Sequence, residues 1–354
     1  MRKMIGLTAI LIMAQAMPSL TLMAQTESVY TIERFRFENG SELAGMKVGY
    51  VTWGRLNEAG DNAILLLPGS SGNRHYADSH IGPGKTYNTD HYFVIAVDPI
   101  GGGRSSSPAD TLGPDFPRYT VHDMVEAQYI MLTRNLGLHR LMAVSGTSMG
   151  AFQALEWGGS YPDFMTGLIL IEPAARMDPH FAPIMDAMEA AIKLDPNYHN
   201  GHYTHNPTDG IRAAALVFFP WIVSDEFLIS LDSAAYQKMK TSFGDGWARD
   251  WDANSLLWRF YAGSRYDASQ FFGGDMAQTL SRVKAQSLIM YSSTDRTVPY
   301  YLTRELEQGL KNAVSAELPS IRGHLAGIMP PGTTEYDTLS ALVKSFLNGL
   351  EKNN

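Results

Sequence analysis

The stretch 146–150, Gly-Thr-Ser-Met-Gly, constrains the fold of this chain more than any other part of the sequence. An apolar run, 141–144, precedes it, and a segment rich in helix-forming residues, 151–157, follows it. This context predicts a strand, a sharp turn and a helix, because flanking glycines allow a strained backbone and a close approach of strand to helix. We expect Ser148 to be held on that turn as a nucleophile. The backbone N–H of Met149, at the start of the helix, would then stabilise an oxyanion.

The motif alone is only moderately specific, since two glycines around a serine arise by chance in many chains. A nucleophile on such a turn predicts an acid and then a histidine, each just after a later strand. Asp295 lies in a polar loop after the strand-like run 287–291, and His324 follows a weaker strand, 316–320. An isolated Asp is more often a turn former, and an isolated His is more often a surface residue. Because both occur in the expected order, we predict a catalytic triad of Ser148, Asp295 and His324.

The other apolar runs predict a sheet that an antiparallel pair opens and that parallel strands continue. The predicted elements before the nucleophile strand are the strands 30–37, 46–54, 63–67 and 92–98 and the helix 120–137. The third of these strands ends in a glycine- and serine-rich loop. The backbone N–H of Ser70, with Ser71 next to it, is the candidate for the second oxyanion donor. A glycine-rich turn without a special role is the alternative for this loop.

A long segment, 175–279, interrupts the alternation of strands and helices and is rich in helix formers, aromatic residues and Met. An insertion above the C-terminal edge of such a sheet would cover the catalytic serine as a helical lid. Its apolar side chains would form the substrate pocket. The candidate pocket residues are Phe218, Phe219, Trp221, Trp258 and Phe260, although a residue of this kind, taken alone, more often belongs to the core of the lid.

The sequence predicts neither a metal nor a cofactor. Three histidines at intervals of three suggest a metal site, but neighbouring Pro, Asn and Gly residues make the necessary helix improbable: His199, His202 and His205. The loop 101–103 has three glycines but lacks the patterns of nucleotide-binding loops. The chain has no cysteine, which excludes disulfides and thiolate sites.

Composition and the N-terminus predict an exported, globular protein. The 354 residues, 45% of them hydrophobic, suffice for one large core, and a net charge of −8 without a basic run argues against a nucleic-acid partner. Residues 1–24 begin with Arg2 and Lys3 and continue as an apolar stretch interrupted by Pro18. This pattern is typical of a signal peptide, for which we predict cleavage after Ala24; an uncleaved anchor is the alternative. The mature chain, 25–354, would be periplasmic or secreted, without stable membrane association.

Several stretches carry a resemblance to a known group of proteins: 48–57, 82–95, 116–125, 146–157 and 252–255. Together they resemble the homoserine O-acetyltransferase group of the α/β-hydrolase superfamily, from about Tyr30 to the C-terminus. The resemblance implies the α/β-hydrolase fold, with a mostly parallel central sheet flanked by helices and an inserted helical lid. It also implies that Ser148 accepts the acyl group, that Asp295 and His324 assist it, and that the lid mediates a homodimer.

The chain also departs from that group at positions that bind homoserine. An Asp that helps to hold the homoserine amine usually follows the catalytic His, and Leu325 stands there instead. The group's lid helix carries an Arg for the substrate carboxylate, whereas the stretch 210–221 has alanines there and Arg212 about one turn away. The loop 101–103 also differs from the group's usual form.

These departures favour water over homoserine as the acyl acceptor, and export would separate the protein from cytoplasmic acetyl-CoA. We therefore predict a serine hydrolase that acts on a small-molecule carboxylic ester with a small to medium acyl group. The alternatives are an acyl-CoA-dependent O-acyltransferase and a non-catalytic binding protein on the same fold.

Overall fold

The computed structural model describes residues 25–110 and 112–353. The predicted signal peptide, 1–24, lies outside the described residues. None of the helices in the described part of the chain is long and apolar enough to cross a membrane.

An eight-stranded sheet forms the centre of the described chain, in the order β1-β2-β4-β3-β5-β6-β7-β8. The first two strands pair antiparallel, β2 pairs antiparallel with β4, and every later pairing is parallel. The strands are β1 (Thr26–Arg36), β2 (Glu42–Trp53), β3 (Ala63–Leu67), β4 (Phe93–Val97), β5 (Leu141–Thr147), β6 (Met165–Ile171), β7 (Gln286–Tyr291) and β8 (Ala313–Glu317).

Helices cover both faces of this sheet, which is the α/β-hydrolase arrangement that the sequence predicts. They are α1 (Val121–Arg134), α2 (Met149–Ser160), α3 (Ala182–Lys193), α4 (Thr208–Ile222), α5 (Asp225–Ser230), α6 (Ser233–Asp250), α7 (Ala253–Ser264), α8 (Met276–Arg282), α9 (Tyr300–Gly309) and α10 (Thr334–Asn353). Six of them, α3 to α8, lie between β6 and β7, and five of these six, α3 to α7, lie wholly within the predicted insertion, 175–279.

The side chains of β3 show why its apolar run is continuous. Ala63, Leu65 and Leu67 belong to the core on one face of the sheet, while Ile64 and Leu66 belong to the core on the other face. Successive side chains of a strand point to opposite faces, so a strand that is covered on both sides needs apolar residues at every position. The sheet is therefore the middle layer of three.

Several element boundaries differ from the sequence predictions. The first two strands begin four residues earlier than predicted, at Thr26 and at Glu42. The last strand is β8, 313–317, and not 316–320, because its pairing with β7 runs from Ala313 to Glu317 and leaves Pro319, which has no N–H, outside the ladder. Helix α1 ends at Arg134 rather than at 137. The expected lid boundary at 279 falls inside α8, which directly precedes β7.

Candidate active site

The nucleophile candidate occupies a strained turn between β5 and α2. Ser148 has backbone angles φ 57° and ψ −125°, and α2 begins at the next residue. A positive φ is unfavourable for a residue with a Cβ and persists only where the surrounding structure enforces it. The Ser148 N–H donates to the Ile171 carbonyl of β6, which ties the turn to the neighbouring strand. The turn leaves Ser148 partly exposed at the C-terminal edge of the sheet.

The three residues of the predicted triad form one chain of hydrogen bonds. Ser148 Oγ lies 2.7 Å from His324 Nε2, and His324 Nδ1 lies 2.6 Å from Asp295 Oδ2. The other carboxylate oxygen of Asp295 accepts the N–H groups of Thr297 at 2.8 Å and Val298 at 3.0 Å. Because an ionised carboxylate only accepts hydrogen bonds, the neutral ring of His324 carries its proton on Nδ1, and its Nε2 can then accept the serine proton.

Each member reaches this point from the end of a parallel strand. Ser148 follows β5, Asp295 lies in the loop after β7, and His324 lies in a short 3₁₀ turn, Gly323–Ile328, after β8. The carboxyl ends of parallel strands share one edge of a sheet, so residues more than a hundred positions apart in the chain come together there.

The two predicted oxyanion donors lie beside the serine. Within the described residues, the backbone N–H groups of Met149 and Ser70 donate to no protein acceptor. The loop that carries Ser70 is held against the nucleophile, since a Cβ on Gly69 would lie 3.3 Å from Ser148 Cβ. Ser70 and Ser71 both line the cavity next to Ser148. The assignment of Ser70 as the second donor stays a prediction.

A second carboxylate, which the sequence analysis did not single out, lies behind the histidine. Glu172 is fully buried, and its Oε2 lies 3.7 Å from His324 Nδ1. The sequence signal that could have revealed it is an acid placed directly after the apolar run of β6, where a buried parallel strand ends. Glu172, Asp295 and His324 also bring one potential metal-ligating atom each within 4.8 Å of one another. Both ring nitrogens of His324 are already engaged, so this group does not serve as a metal centre.

Sequence comparison decides the family. A family model described as alpha/beta hydrolase fold matches residues 62–327. The homoserine O-acetyltransferase of Leptospira biflexa is 30% identical to this chain over 92% of this chain and 94% of that protein. The chain belongs to the homoserine O-acetyltransferase-like group of the α/β hydrolases.

Solved structures of other α/β hydrolases with two different activities resemble this one. An acetylester hydrolase from Corynebacterium glutamicum has a TM-score of 0.85 at 27% identity, with 91% of this chain and 96% of that chain covered. A homoserine O-acetyltransferase from Bacillus anthracis has a TM-score of 0.81 at 25% identity, with 92% and 98% covered. The family thus includes both ester hydrolysis and acyl transfer among proteins similar to this chain.

A cavity with about 780 Å³ of empty space, part of it open to solvent, lies beside Ser148 in this α/β hydrolase. Its walls come from the loop 69–72 that carries Ser70, here called the oxyanion loop, from the turn with Ser148, from the turn Gly323–Ile328 and from the lid. The apolar part of the lining consists of Phe152, Met177, Phe181, Phe218, Ile222, Phe260, Val298, Leu325 and Ile328. Among the described lining residues there is no Lys, Arg, Asp or Glu.

Of the five aromatic pocket candidates in the lid, two line the cavity and three do not. Phe218 and Phe260 line the cavity, whereas Phe219 packs against Tyr236 and Phe243 within the lid. The remaining two do not line it: Trp258 lies under the Arg118 guanidinium, and Trp221 lies under that of Arg296. Phe219, Trp221 and Trp258 therefore do not line the cavity, and for Phe219 the alternative, a place in the core of the lid, holds.

The structure shows where two of the departures from the acetyltransferase pattern, at Leu325 and Arg212, lie relative to the cavity. Leu325 lines the cavity directly after the catalytic histidine candidate. Arg212 lies on the surface of the lid, where it pairs with Asp209 at 2.6 Å and Asp245 at 2.8 Å. The Arg212 guanidinium therefore does not face the cavity and is not placed to bind a substrate carboxylate there.

The electrostatics of the triad predict an alkaline pH dependence. Burial opposes the charge of His324, but the carboxylates of Asp295 and Glu172 outweigh it and raise the pKa of His324 to about 9. Below that pKa the ring is an imidazolium, which cannot accept the serine proton, so the rate falls as the pH falls. We expect the acid limb of kcat/KM for a soluble p-nitrophenyl ester to have its midpoint above pH 7. Rates of a Ser148→Ala variant supply the background, and a midpoint at or below 6.5 would contradict the expected direction.

Proposed function

We propose that the protein is a serine hydrolase that cleaves a carboxylic ester with a small to medium acyl group through an acyl-serine intermediate. The observation that carries the proposal is the largely apolar cavity beside Ser148, which has no Lys, Arg, Asp or Glu among its described lining residues. An amino-acid acceptor such as homoserine would bring an ammonium and a carboxylate into a cavity whose described lining has no Lys, Arg, Asp or Glu to pair with them, which is costly. An ester of apolar components gains free energy from the same surroundings.

In the proposed reaction, Ser148 Oγ attacks the ester carbonyl carbon while its proton moves to His324 Nε2. The backbone N–H groups of Met149 and Ser70 stabilise the negative oxygen of the tetrahedral intermediate. As the ester C–O bond breaks, His324 returns the proton to the leaving alcohol. Water then attacks the acyl-serine with His324 as its base, and the collapse of the second intermediate releases the acid and restores the serine hydroxyl.

We propose that this reaction takes place in the periplasm or outside the cell. The support is the basic start and apolar stretch of residues 1–24, which resemble a secretory signal. Since acetyl-CoA is a cytoplasmic metabolite, an exported enzyme would meet water as its acyl acceptor rather than homoserine with a CoA donor.

Homoserine O-acetylation is the second candidate, and the names of relatives such as the Leptospira biflexa enzyme favour it. Both reactions form an acyl-serine and differ only in the second nucleophile, so the triad geometry is compatible with each. The lining of the cavity supports hydrolysis as our proposal, because homoserine needs partners for two charges and an ester needs none.

A direct comparison of the two activities tests the proposal. We expect the mature protein, 25–354, to turn over p-nitrophenyl acetate and butyrate and to form no more O-acetylhomoserine from acetyl-CoA and homoserine than a Ser148→Ala variant does. Both assays use the same preparation, and the released p-nitrophenol and the O-acetylhomoserine are quantified. Efficient acetylation of homoserine would favour the second candidate. Absence of both activities in folded protein would favour a binding protein.

A further inference from the structure

Two carboxylates approach the same nitrogen of His324 from neighbouring strand ends. Asp295 follows β7, and Glu172 directly follows β6, which pairs with β7 in parallel. The backbone of Glu172 is fixed there, since its N–H donates to the Met290 carbonyl at 2.7 Å. Its φ of 54° lies in the left-handed region, a conformation that is unfavourable for a non-glycine residue. A strained acid at this position is an observation that the triad alone does not explain.

The side chain of Glu172 is aimed at the imidazole. Its Oε1 accepts the Gly327 N–H at 3.1 Å, which fixes the carboxyl group, and its Oε2 lies 3.7 Å from His324 Nδ1. This Oε2 is buried and has no hydrogen-bond partner in the described chain. An unpaired oxygen of a buried acid is unfavourable unless it interacts with a charge that forms during function. The imidazolium of His324 is the cation that lies within its reach.

The charges support this pairing. Burial raises the pKa of Glu172 and the nearby Asp295 adds to the rise, while the charge of His324 and the Gly327 N–H lower it, so the carboxylate form is favoured when His324 is an imidazolium. The protonation of the Glu172 carboxyl group and that of the His324 ring are therefore coupled. Among the described residues, Asp295 is the one charged group besides these two that shifts the pKa of either Glu172 or His324.

We propose that Glu172 is a second acidic partner of His324, a positioning residue that stabilises the imidazolium and can replace Asp295 in part. This inference rests on the proposed reaction at Ser148, because it assigns a role only if His324 accepts the serine proton. The role does not depend on whether water or an alcohol accepts the acyl group.

The labelling rate of Ser148 with diisopropyl fluorophosphate tests the proposal without the natural substrate. In this reaction Ser148 Oγ forms a bond to phosphorus, fluoride leaves, and His324 takes the serine proton. Glu172→Gln removes the charge and keeps an oxygen for the Gly327 N–H, and Glu172→Ala is a second variant without the charge. We expect both to move the acid limb of the labelling rate to lower pH, by about 1 unit, because loss of a nearby negative charge lowers the pKa of His324.

The chain offers a matched control in Glu156→Gln. Glu156 is also buried and also has one oxygen without a partner, but its other oxygen contacts His122 at 2.7 Å rather than His324. We expect this variant to leave the acid limb in place. A shift of the same size in Glu156→Gln would overturn the assignment, since it would trace the effect to a general loss of buried charge.

Replacement of the primary acid tests the second half of the proposal. We expect Asp295→Ala to retain a labelling rate about tenfold above that of the double variant Asp295→Ala/Glu172→Gln, because Glu172 still holds the ring. If these two variants are labelled at equal rates, and if the acid limb of the labelling rate does not move in Glu172→Gln, the role of Glu172 is overturned and the triad stays intact. If the unaltered protein is not labelled at Ser148, the proposed function fails, and this inference fails with it.

Discussion

Replacement of Ser148 by alanine is expected to lower kcat for p-nitrophenyl ester hydrolysis by about 10⁴-fold or more, the usual loss when a serine nucleophile of a triad is removed. The reason is geometric. Ser148 Oγ is the one hydroxyl within hydrogen-bond distance of His324 Nε2 in the described residues, at 2.7 Å. Without it, no acyl-serine forms, and only the oxyanion donors and the cavity remain to assist an attack by water. Burst kinetics with p-nitrophenyl acetate would report the loss of the acyl intermediate directly.

The matched control for this variant is Ser160→Ala. Ser160 ends the same helix, α2, and its hydroxyl donates to Glu156 at 2.9 Å, away from the cavity. We expect the Ser160→Ala variant to keep a kcat for p-nitrophenyl ester hydrolysis within a few-fold of that of the unaltered protein. Substantial turnover by Ser148→Ala in protein free of contaminating esterase would exclude Ser148 as the nucleophile. A large loss in both variants would point to damage of α2 instead.

The parts of the site that sequence patterns revealed are those fixed by strand ends. Ser148, Asp295 and His324 each follow a strand, and chain order together with an apolar run is enough to place them at one edge of the sheet. The bounds of β3, 63–67, are also those predicted, because burial on both faces leaves an uninterrupted apolar run. A weak edge strand such as β8 carries no such run: its residues are half-buried or exposed, and its bounds were misplaced by three residues.

Glu172 could not be identified from its position alone. An acid after a strand commonly begins a loop, and nothing in the sequence reports that its side chain turns inward toward His324. That direction depends on its positive φ, on the contact with the Gly327 N–H and on the register of β6 with β7. The last two are tertiary contacts, and each involves residues more than a hundred positions apart.

The lid was the least predictable part for the same reason. Phe218 and Phe219 are neighbours on α4, yet one lines the cavity and the other packs inside the lid. Helical periodicity separates the two sides of α4 but does not indicate which side faces the serine. That outcome depends on how α4 lies against the sheet. The prediction of a homodimer through the lid stays open to measurement in solution.

The largest expected effect on stability comes from a single methyl group at Gly150. This residue is the second of α2, where helix propensity alone would favour alanine over glycine by about 0.5–1 kcal/mol. A Cβ on Gly150, however, would lie 2.0 Å from the Leu67 carbonyl oxygen and 2.9 Å from that of Pro68. Both are backbone atoms at the end of β3, and they cannot move away without displacing the oxyanion loop. We therefore expect Gly150→Ala to lower the free energy of unfolding by about 3 kcal/mol or more.

Gly349→Ala separates this steric effect from propensity. Gly349 lies within α10, and a Cβ there would meet nothing within 4 Å, so only propensity acts and the variant should be more stable by about 0.5–1 kcal/mol. Urea unfolding of both variants beside the unaltered chain measures the two effects with opposite expected signs. A stable, fully active Gly150→Ala protein would mean that α2 does not approach β3 as closely as the turn at Ser148 requires. Because the same contact holds Ser148 in its strained turn, any Gly150→Ala protein that does fold should also lose activity through displacement of the nucleophile.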